Sequence, residues 1–287
     1  MRQRIDRAEL ASQAPRTLSA VPRAFLRWAG SKRALLDQIV ESLPESYGTY
    51  YEPFLGSGSL FFLLQPTRAR LSDRCEPLIE TFCAVRDGAD RVWAHLKPLA
   101  PSRELYYRLR SEDSRGRYKR AAVFIYLNKT CWNGLYRVNS DGIFNVPYGL
   151  PKSKTIASPE NLKACSDLLA QPQIKLRSCD FEAALRSASK GDLVFLDPPY
   201  VTLHNNNGFV DYNHTIFSWD DQLRLSRVAK QLARKGVNVI VTNAYHDDVL
   251  NLYRGFSVQQ LHRRSTIASE SSHRRSTTEA LLTYVSD

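Results

Sequence analysis

The chain has 287 residues, with 40 Lys+Arg against 29 Asp+Glu and a formal net charge of +11. At 43% hydrophobic, 10% aromatic and 24% charged, it can bury a substantial core, which excludes a disordered or collagen-like chain. Its longest apolar run, Ala121 to Leu127, falls far short of the roughly 18 to 20 residues of a membrane span.

Residues 1–23 mix Arg, Gln, Ala, Ser and Pro without a sustained apolar period. They read as a basic tail, mobile or loosely docked, and the ordered domain is expected from Ala24. The tail also lacks the apolar stretch of a secretory signal, so a cytoplasmic protein is expected. From Ser31 a helix start leads into Leu35, Leu36, Ile39, Val40 and Leu43, and Pro44 closes it. Strands are predicted over 50–54 and 69–73, with a Gly-containing turn and a helix over 60–64 between them. The segment 87–161 then changes character, with many Arg, Lys, Tyr and Asn and several Gly and Pro turns, and reads as an inserted subdomain. Alternation resumes with a strand over 192–196, a helix over 220–234 carrying Leu225, Val228, Ala229 and Leu232 on one face, and a strand over 237–242. Two last strands, 256–261 and 279–285, fit a terminal antiparallel hairpin. The outer parts form one parallel α/β sheet.

Five widely spaced cysteines, Cys75, Cys83, Cys131, Cys165 and Cys179, contain no CxxC pair. They are expected to be reduced thiols that bind no metal. A pI near 9.5 leaves general solubility and a polyanion partner equally open.

Two short motifs carry chemistry. Phe54-Leu55-Gly56-Ser57-Gly58 follows a strand and precedes a helix, so Gly56 and Gly58 either admit a ligand to the backbone or only make a tight turn. It lacks the third glycine of the dinucleotide fingerprint and the Lys-Ser/Thr of a P-loop. Asp73 ends the next strand, where a carboxylate can accept hydrogen bonds from a ribose diol or be an ordinary surface group. Asp197-Pro198-Pro199-Tyr200 follows the apolar strand 193–196. The prolines end the strand and stiffen its carboxyl end, where open α/β sheets bind ligands. A carboxylate, a Pro carbonyl and an aromatic face within four residues suit the exocyclic amine of a planar base.

These motifs resemble those of the Dam-type DNA adenine N6-methyltransferases, the D12 class, from about Ala24 to Asp287. Phe25-Leu26-Arg27-Trp28-Ala29-Gly30-Ser31-Lys32 resembles the family's FLKWAGGK signature, FLGSG its FxGxG loop and DPPY its catalytic tetrapeptide. Asn133 to Asn139 and Phe144 to Gly149 resemble its target-recognition segment. Ser31, Arg27, Trp132 and Val138 depart from the residues common there.

The resemblance implies a Rossmann-like methyltransferase sheet over 24–86 and 162–287, a mainly helical recognition subdomain over 87–161 and a C-terminal β-hairpin. It implies S-adenosylmethionine as cofactor, held by Trp28, Lys32, Phe54, Gly56, Gly58, Asp73, Asp180, Phe181 and Asp197. Asp197, Pro198, Pro199 and Tyr200 would be catalytic. Double-stranded DNA would be the substrate, with a flipped adenine in GATC the favoured target. Arg27, Trp132, Asn133, Leu135, Arg137, Asn139 and Pro147 would contact it. Arg27 and Arg137 either read guanine edges or grip phosphate, and Trp132 either wedges between bases or packs in the core. Arg263, Arg264, Arg274 and Arg275 would meet phosphates or serve solubility. A cognate restriction enzyme is a partner such a protein can have, and a monomer or weak dimer is expected. An RNA adenine, another amine, or a catalytically silent DNA-binding regulator are the alternatives.

Overall fold

The computed structural model describes residues 3–5, 22–202, 217–264 and 276–285. Two residues of the expected tail, β1 (Gln3–Arg4), pair antiparallel with β2 (Ser46–Tyr47). The tail arginines Arg7 and Arg16, like Arg274 and Arg275 near the end, lie outside the described residues.

The sheet takes β3 (Tyr50–Glu52), β4 (Ala69–Asp73), β5 (Ile174–Ser178), β6 (Leu193–Leu196), β7 (Asn238–Ala244), β8 (Ser257–Arg264) and β9 (Ser276–Tyr284). Their order across it is β5-β4-β3-β6-β7-β9-β8. The first five are mutually parallel, and β9 pairs antiparallel with both β7 and β8. This is a Rossmann-like α/β sheet closed by the expected hairpin.

The central strands β3, β6 and β7 are buried on both faces, as the apolar runs of β6 and β7 require. Successive side chains point to opposite faces. Tyr50, Leu193, Phe195, Ile240 and Leu281 therefore join one core, and Tyr51, Val194, Leu196, Val239, Val241 and Leu282 the other. The first face is covered by helices Ser59–Leu64, Glu76–Leu96, Arg117–Thr130 and Pro159–Leu169. Phe181–Leu185 and Trp219–Arg234 cover the second. Trp219–Arg234 begins in a capping box: Ser218 Oγ accepts from the Asp221 N–H while Asp221 returns a bond to the Ser218 N–H, which satisfies two donors free at a helix start.

Three elements differ from expectation. The helix expected from Ser31 is split into a 3-10 turn, Lys32–Ala34, and a short α-helix, Leu36–Glu41. Ser31 makes no side-chain cap, because its hydroxyl bonds Ser57 and Ser59 instead. The strand expected over 50–54 stops at Glu52, where Pro53 cannot donate to the ladder. Helix Glu76–Leu96 runs through position 87 and kinks at Gly88, where a Cβ would fall 2.8 Å from Cε1 of Tyr118. Among the described residues, no helix is long and apolar enough to cross a membrane.

Candidate active site

Strands β3 and β6 are neighbours at the point where the strand order reverses, so the loops after them share one crevice. Open α/β sheets hold their ligands there. The Gly loop leaves β3, and Asp197-Pro198-Pro199-Tyr200 leaves β6 directly.

In the Gly loop, Gly56 and Gly58 have φ of +47° and +67°, a region open to glycine at little cost. A Cβ on Gly56 would also lie 2.8 Å from Cδ1 of Trp28, so only a bare backbone lets the indole pack there. The Gly56 N–H donates to Oδ2 of Asp73 at 3.0 Å, and the Cys75 N–H donates to Oδ1 at 2.9 Å. Asp73 thus ties the end of β4 to the loop after β3. Burial pushes its carboxyl upward against these backbone bonds. Trp28 stacks on Tyr136 at 5.7 Å and 17°, which links the N-terminal signature to segment 87–161.

Lys32 is buried, with Nζ 2.7 Å from Oδ1 of Asp197, 3.6 Å from Oε2 of Glu279 and 2.6 Å from the Gly30 carbonyl oxygen. It also lies 4.8 Å from the Tyr200 ring centroid. Thr242 Oγ1 on β7 donates to the same Asp197 oxygen at 2.7 Å. Both donors fall on the same oxygen, Oδ1. Burial raises the Asp197 carboxyl, and Lys32 and Thr242 work against that rise. The Tyr200 hydroxyl donates to Oε2 of Glu279 at 2.6 Å. Sequence reasoning placed Lys32 against a cofactor; the structure also makes it the counter-ion of Asp197.

Asp180 caps helix Phe181–Leu185 through the Glu182 N–H and pairs with Arg224, whose Nη2 lies 2.7 Å from Oδ2. Phe181 is buried between Phe54, stacked at 5.5 Å and 29°, and the Arg224 guanidinium, 4.4 Å from its ring centroid. Both groups already pack on the Phe181 ring.

In segment 87–161, the Asn128 amide grips the Arg27 backbone, accepting from its N–H at 2.8 Å and donating to its carbonyl at 2.6 Å. A Cβ on Gly134 would lie 2.6 Å from Cβ of Arg27. Arg27 and the turn Trp132–Gly134 are thereby brought together. Trp132 is 42% exposed, which disfavours a core role, and Pro147 and Asn133 are also exposed. Arg137 Nε donates to Oδ1 of Asn145 at 2.7 Å. Asn139 uses its side-chain oxygen on the N–H groups of Asp141 and Ile143, which makes a tight turn, and Leu135 packs against the first core. Nearby, burial and then the charges of Arg27 and Arg33 push the Lys129 ammonium down to about 8.

Sequence reasoning missed Glu52, Arg224, Thr242 and Glu279. Glu52 is buried at the end of β3 and accepts from the Tyr50 hydroxyl at 2.9 Å. Glu52 and Glu279 had one visible signal, an acidic residue directly next to aromatic or apolar strand residues, Tyr50-Tyr51 and Ala280-Leu281-Leu282.

Residues 28–267 match the family described as D12 class N6 adenine-specific DNA methyltransferase. The chain is 38% identical to a Type II methyltransferase, M1.LlaDCHI, of Lactococcus lactis subsp. cremoris, over 91% of this chain and 95% of that protein. It is 36% identical to the Type II methyltransferase M.MjaIII of Methanocaldococcus jannaschii, over 83% and 90%. It is also 31% identical to the DNA adenine methylase of Escherichia coli K12, over 91% and 95%.

Proposed function

The chain belongs to the D12 class of N6 adenine-specific DNA methyltransferases, and from that premise we propose that it moves a methyl group from S-adenosylmethionine to a flipped-out adenine, with GATC as its site. The observation that carries the reading is the Asp197 carboxylate, fixed through Oδ1 by Lys32 and Thr242 at the end of the strand that pairs with the one leading into the left-handed Gly56 and Gly58.

The residues fit this cofactor. The left-handed backbone at Gly56, packed against Trp28 and bonded to the Asp73 carboxylate, is the feature of this chain that supports the cofactor. Trp28 and Lys32 would face the methionine portion, Asp73 the ribose, and Asp180 with the edge of Phe181 the adenine ring. When bound, S-adenosylmethionine would supply an electrophilic sulfonium methyl carbon; the amine nitrogen that takes the methyl must then give up one proton, for which the Asp197 carboxylate is the acceptor at hand.

The chain's own task is to align and activate the amine. An adenine amine is a weak nucleophile because its lone pair delocalises into the ring. Donating its two N–H bonds to Oδ2 of Asp197 and the Pro198 carbonyl favours the pyramidal nitrogen that develops during attack. Tyr200 would stack on the base, and Pro199 keeps the loop stiff. Because Asp197 is only 18% exposed, an amine inside a duplex cannot reach it. The base must leave the stack at a cost of a few kcal/mol. Segment 87–161 would then read the flanking sequence through Arg27, Trp132, Asn133, Leu135, Arg137, Asn139 and Pro147.

The test is transfer of labelled methyl from S-adenosylmethionine to unmethylated duplex DNA, with the modified positions mapped. N6-methyladenine confined to GATC supports the whole reading. Label at another motif keeps the chemistry and discards the site. No label on DNA turns the search to RNA, another amine or a silent regulator.

A further inference from the structure

Glu279 is a carboxyl on β9, followed along the strand by Ala280, Leu281 and Leu282, all buried. Its Cα partner in the sheet is Ala244 of β7. A carboxylate buried there loses its hydration, a cost of several kcal/mol unless good partners replace the water. No ladder bond needs an acidic side chain at that position. Its partners instead point into the crevice: Oε2 takes the Tyr200 hydroxyl at 2.6 Å and lies 3.6 Å from the Lys32 ammonium.

We propose that Glu279 is a positioning residue for methyl transfer, holding the Tyr200 ring and the Lys32 ammonium in the places the reaction needs. The inference rests on the adenine-methylation reading above.

The physical argument has two parts. Tyr200 follows two prolines on a loop, and its ring can present a flat face to a base only if its rotation is restrained. The hydroxyl bond to Glu279 supplies that restraint from β9, two strands along the sheet from β6. Lys32 is shared between Asp197 and Glu279, so its ammonium has an anchor other than the catalytic carboxylate. With both carboxylates ionised, the cluster holds two negative charges and one positive charge. That balance favours the positive charge that grows on the amine nitrogen as the N–C bond forms. Glu279 touches none of the reacting atoms. It acts through Tyr200 and Lys32.

The experiment compares Glu279→Ala, Glu279→Gln, Tyr200→Phe and the double variant Tyr200→Phe/Glu279→Ala in single-turnover methylation, alongside the unaltered enzyme. Misplacing a reacting group by about 1 Å costs about a hundredfold in rate. Glu279→Ala is therefore expected to slow the methyl step by about ten- to a hundredfold, with DNA and cofactor affinities kept within about threefold. Glu279→Gln keeps an acceptor for the Tyr200 hydroxyl and should recover part of the rate. The double variant should be no slower than the slower single one, because both cut the same bond. The charge of Glu279 also raises the Asp197 carboxyl, so Glu279→Gln should move the acid limb of the rate profile to lower pH.

Glu279 variants at the unaltered rate, additive losses in the double variant, or an unmoved acid limb in Glu279→Gln would each overturn the proposal. If Glu279→Ala does not fold, the rate and pH profile of the near-isosteric Glu279→Gln decide the matter alone. An unaltered enzyme that methylates no adenine overturns the functional reading and this inference with it.

Discussion

The Lys32 ammonium sits 2.7 Å from Oδ1 of Asp197, although the whole inserted segment separates the two in sequence. The pair joins the N-terminal signature to the tetrapeptide after β6, and it holds down a carboxyl that burial pushes up. Removing the ammonium leaves that carboxyl buried without its main counter-charge. Lys32→Met is therefore expected to raise the Asp197 pKa and carry the acid limb of the single-turnover rate to higher pH. Rates measured from acid to alkaline pH check this. A limb that stays in place would mean that Lys32 does not govern the ionisation of Asp197.

Glu52 makes a prediction about stability. Burial lifts its carboxyl to about 8, against the opposing bond from the Tyr50 hydroxyl, and the charge of Asp197 adds to the rise. Its folded value lies above its unfolded one, so the folded state holds a proton that the unfolded chain has lost. The stabilisation from that proton is complete below the unfolded pKa and is lost as pH rises through about 8. Each pH unit in that window changes stability by about 1.4 kcal/mol per proton. Urea unfolding of the unaltered protein should show stability falling between mildly acidic and mildly alkaline pH. Glu52→Gln should flatten that slope, leaving the smaller contributions of Asp73 and Asp197, whose carboxyls are raised in the same direction.

Much of the fold was legible because apolar strands and one-faced helices announce themselves. Leu193–Leu196 is a bare apolar run bounded by Asp192 and Asp197, and Trp219–Arg234 repeats its apolar residues at helical spacing. Edge strand β5 was not foreseen, since Lys175 and Arg177 alternate with Leu176 and give a polar look to a strand that covers only one flank. The tetrapeptide and the Gly loop were legible because proline and glycine dictate backbone shape locally. Glu279 and Thr242 were not, because their meaning comes from which strands lie side by side. An antiparallel β9 inserted between β7 and β8 is a fact of topology that no local pattern encodes.

Variants at two glycines are expected to separate cofactor binding from DNA binding. An alanine at Gly56 would need a left-handed backbone and would press on Trp28; one at Gly134, with φ of +65°, would press on Cβ of Arg27. The left-handed conformation alone costs a non-glycine residue roughly 1 to 2 kcal/mol. Gly56→Ala is expected to weaken S-adenosylmethionine binding by about tenfold, with DNA affinity little changed. Gly134→Ala should do the reverse, raising the KM for DNA. Calorimetric titration with each ligand distinguishes them, and a loss of both affinities in either variant would point to general unfolding instead.

Arg137 tests how sequence is read. It is exposed, and its Nε is held by Asn145, so the guanidinium keeps Nη1 and Nη2 for an outside partner. If that partner is the O6 and N7 of a guanine, the bidentate contact contributes about 1 to 3 kcal/mol of discrimination at one base pair. Arg137→Ala would then relax the preference at that position by about ten- to a hundredfold while neighbouring positions stay selective. If the partner is a phosphate, methylation of every duplex would fall together and the salt dependence of binding would weaken. Initial rates on duplexes carrying each single substitution of the preferred site distinguish the two. The expected result is loss of selectivity at a single position, because the Asn145 bond fixes the fork in one orientation, which a base edge demands and a phosphate does not.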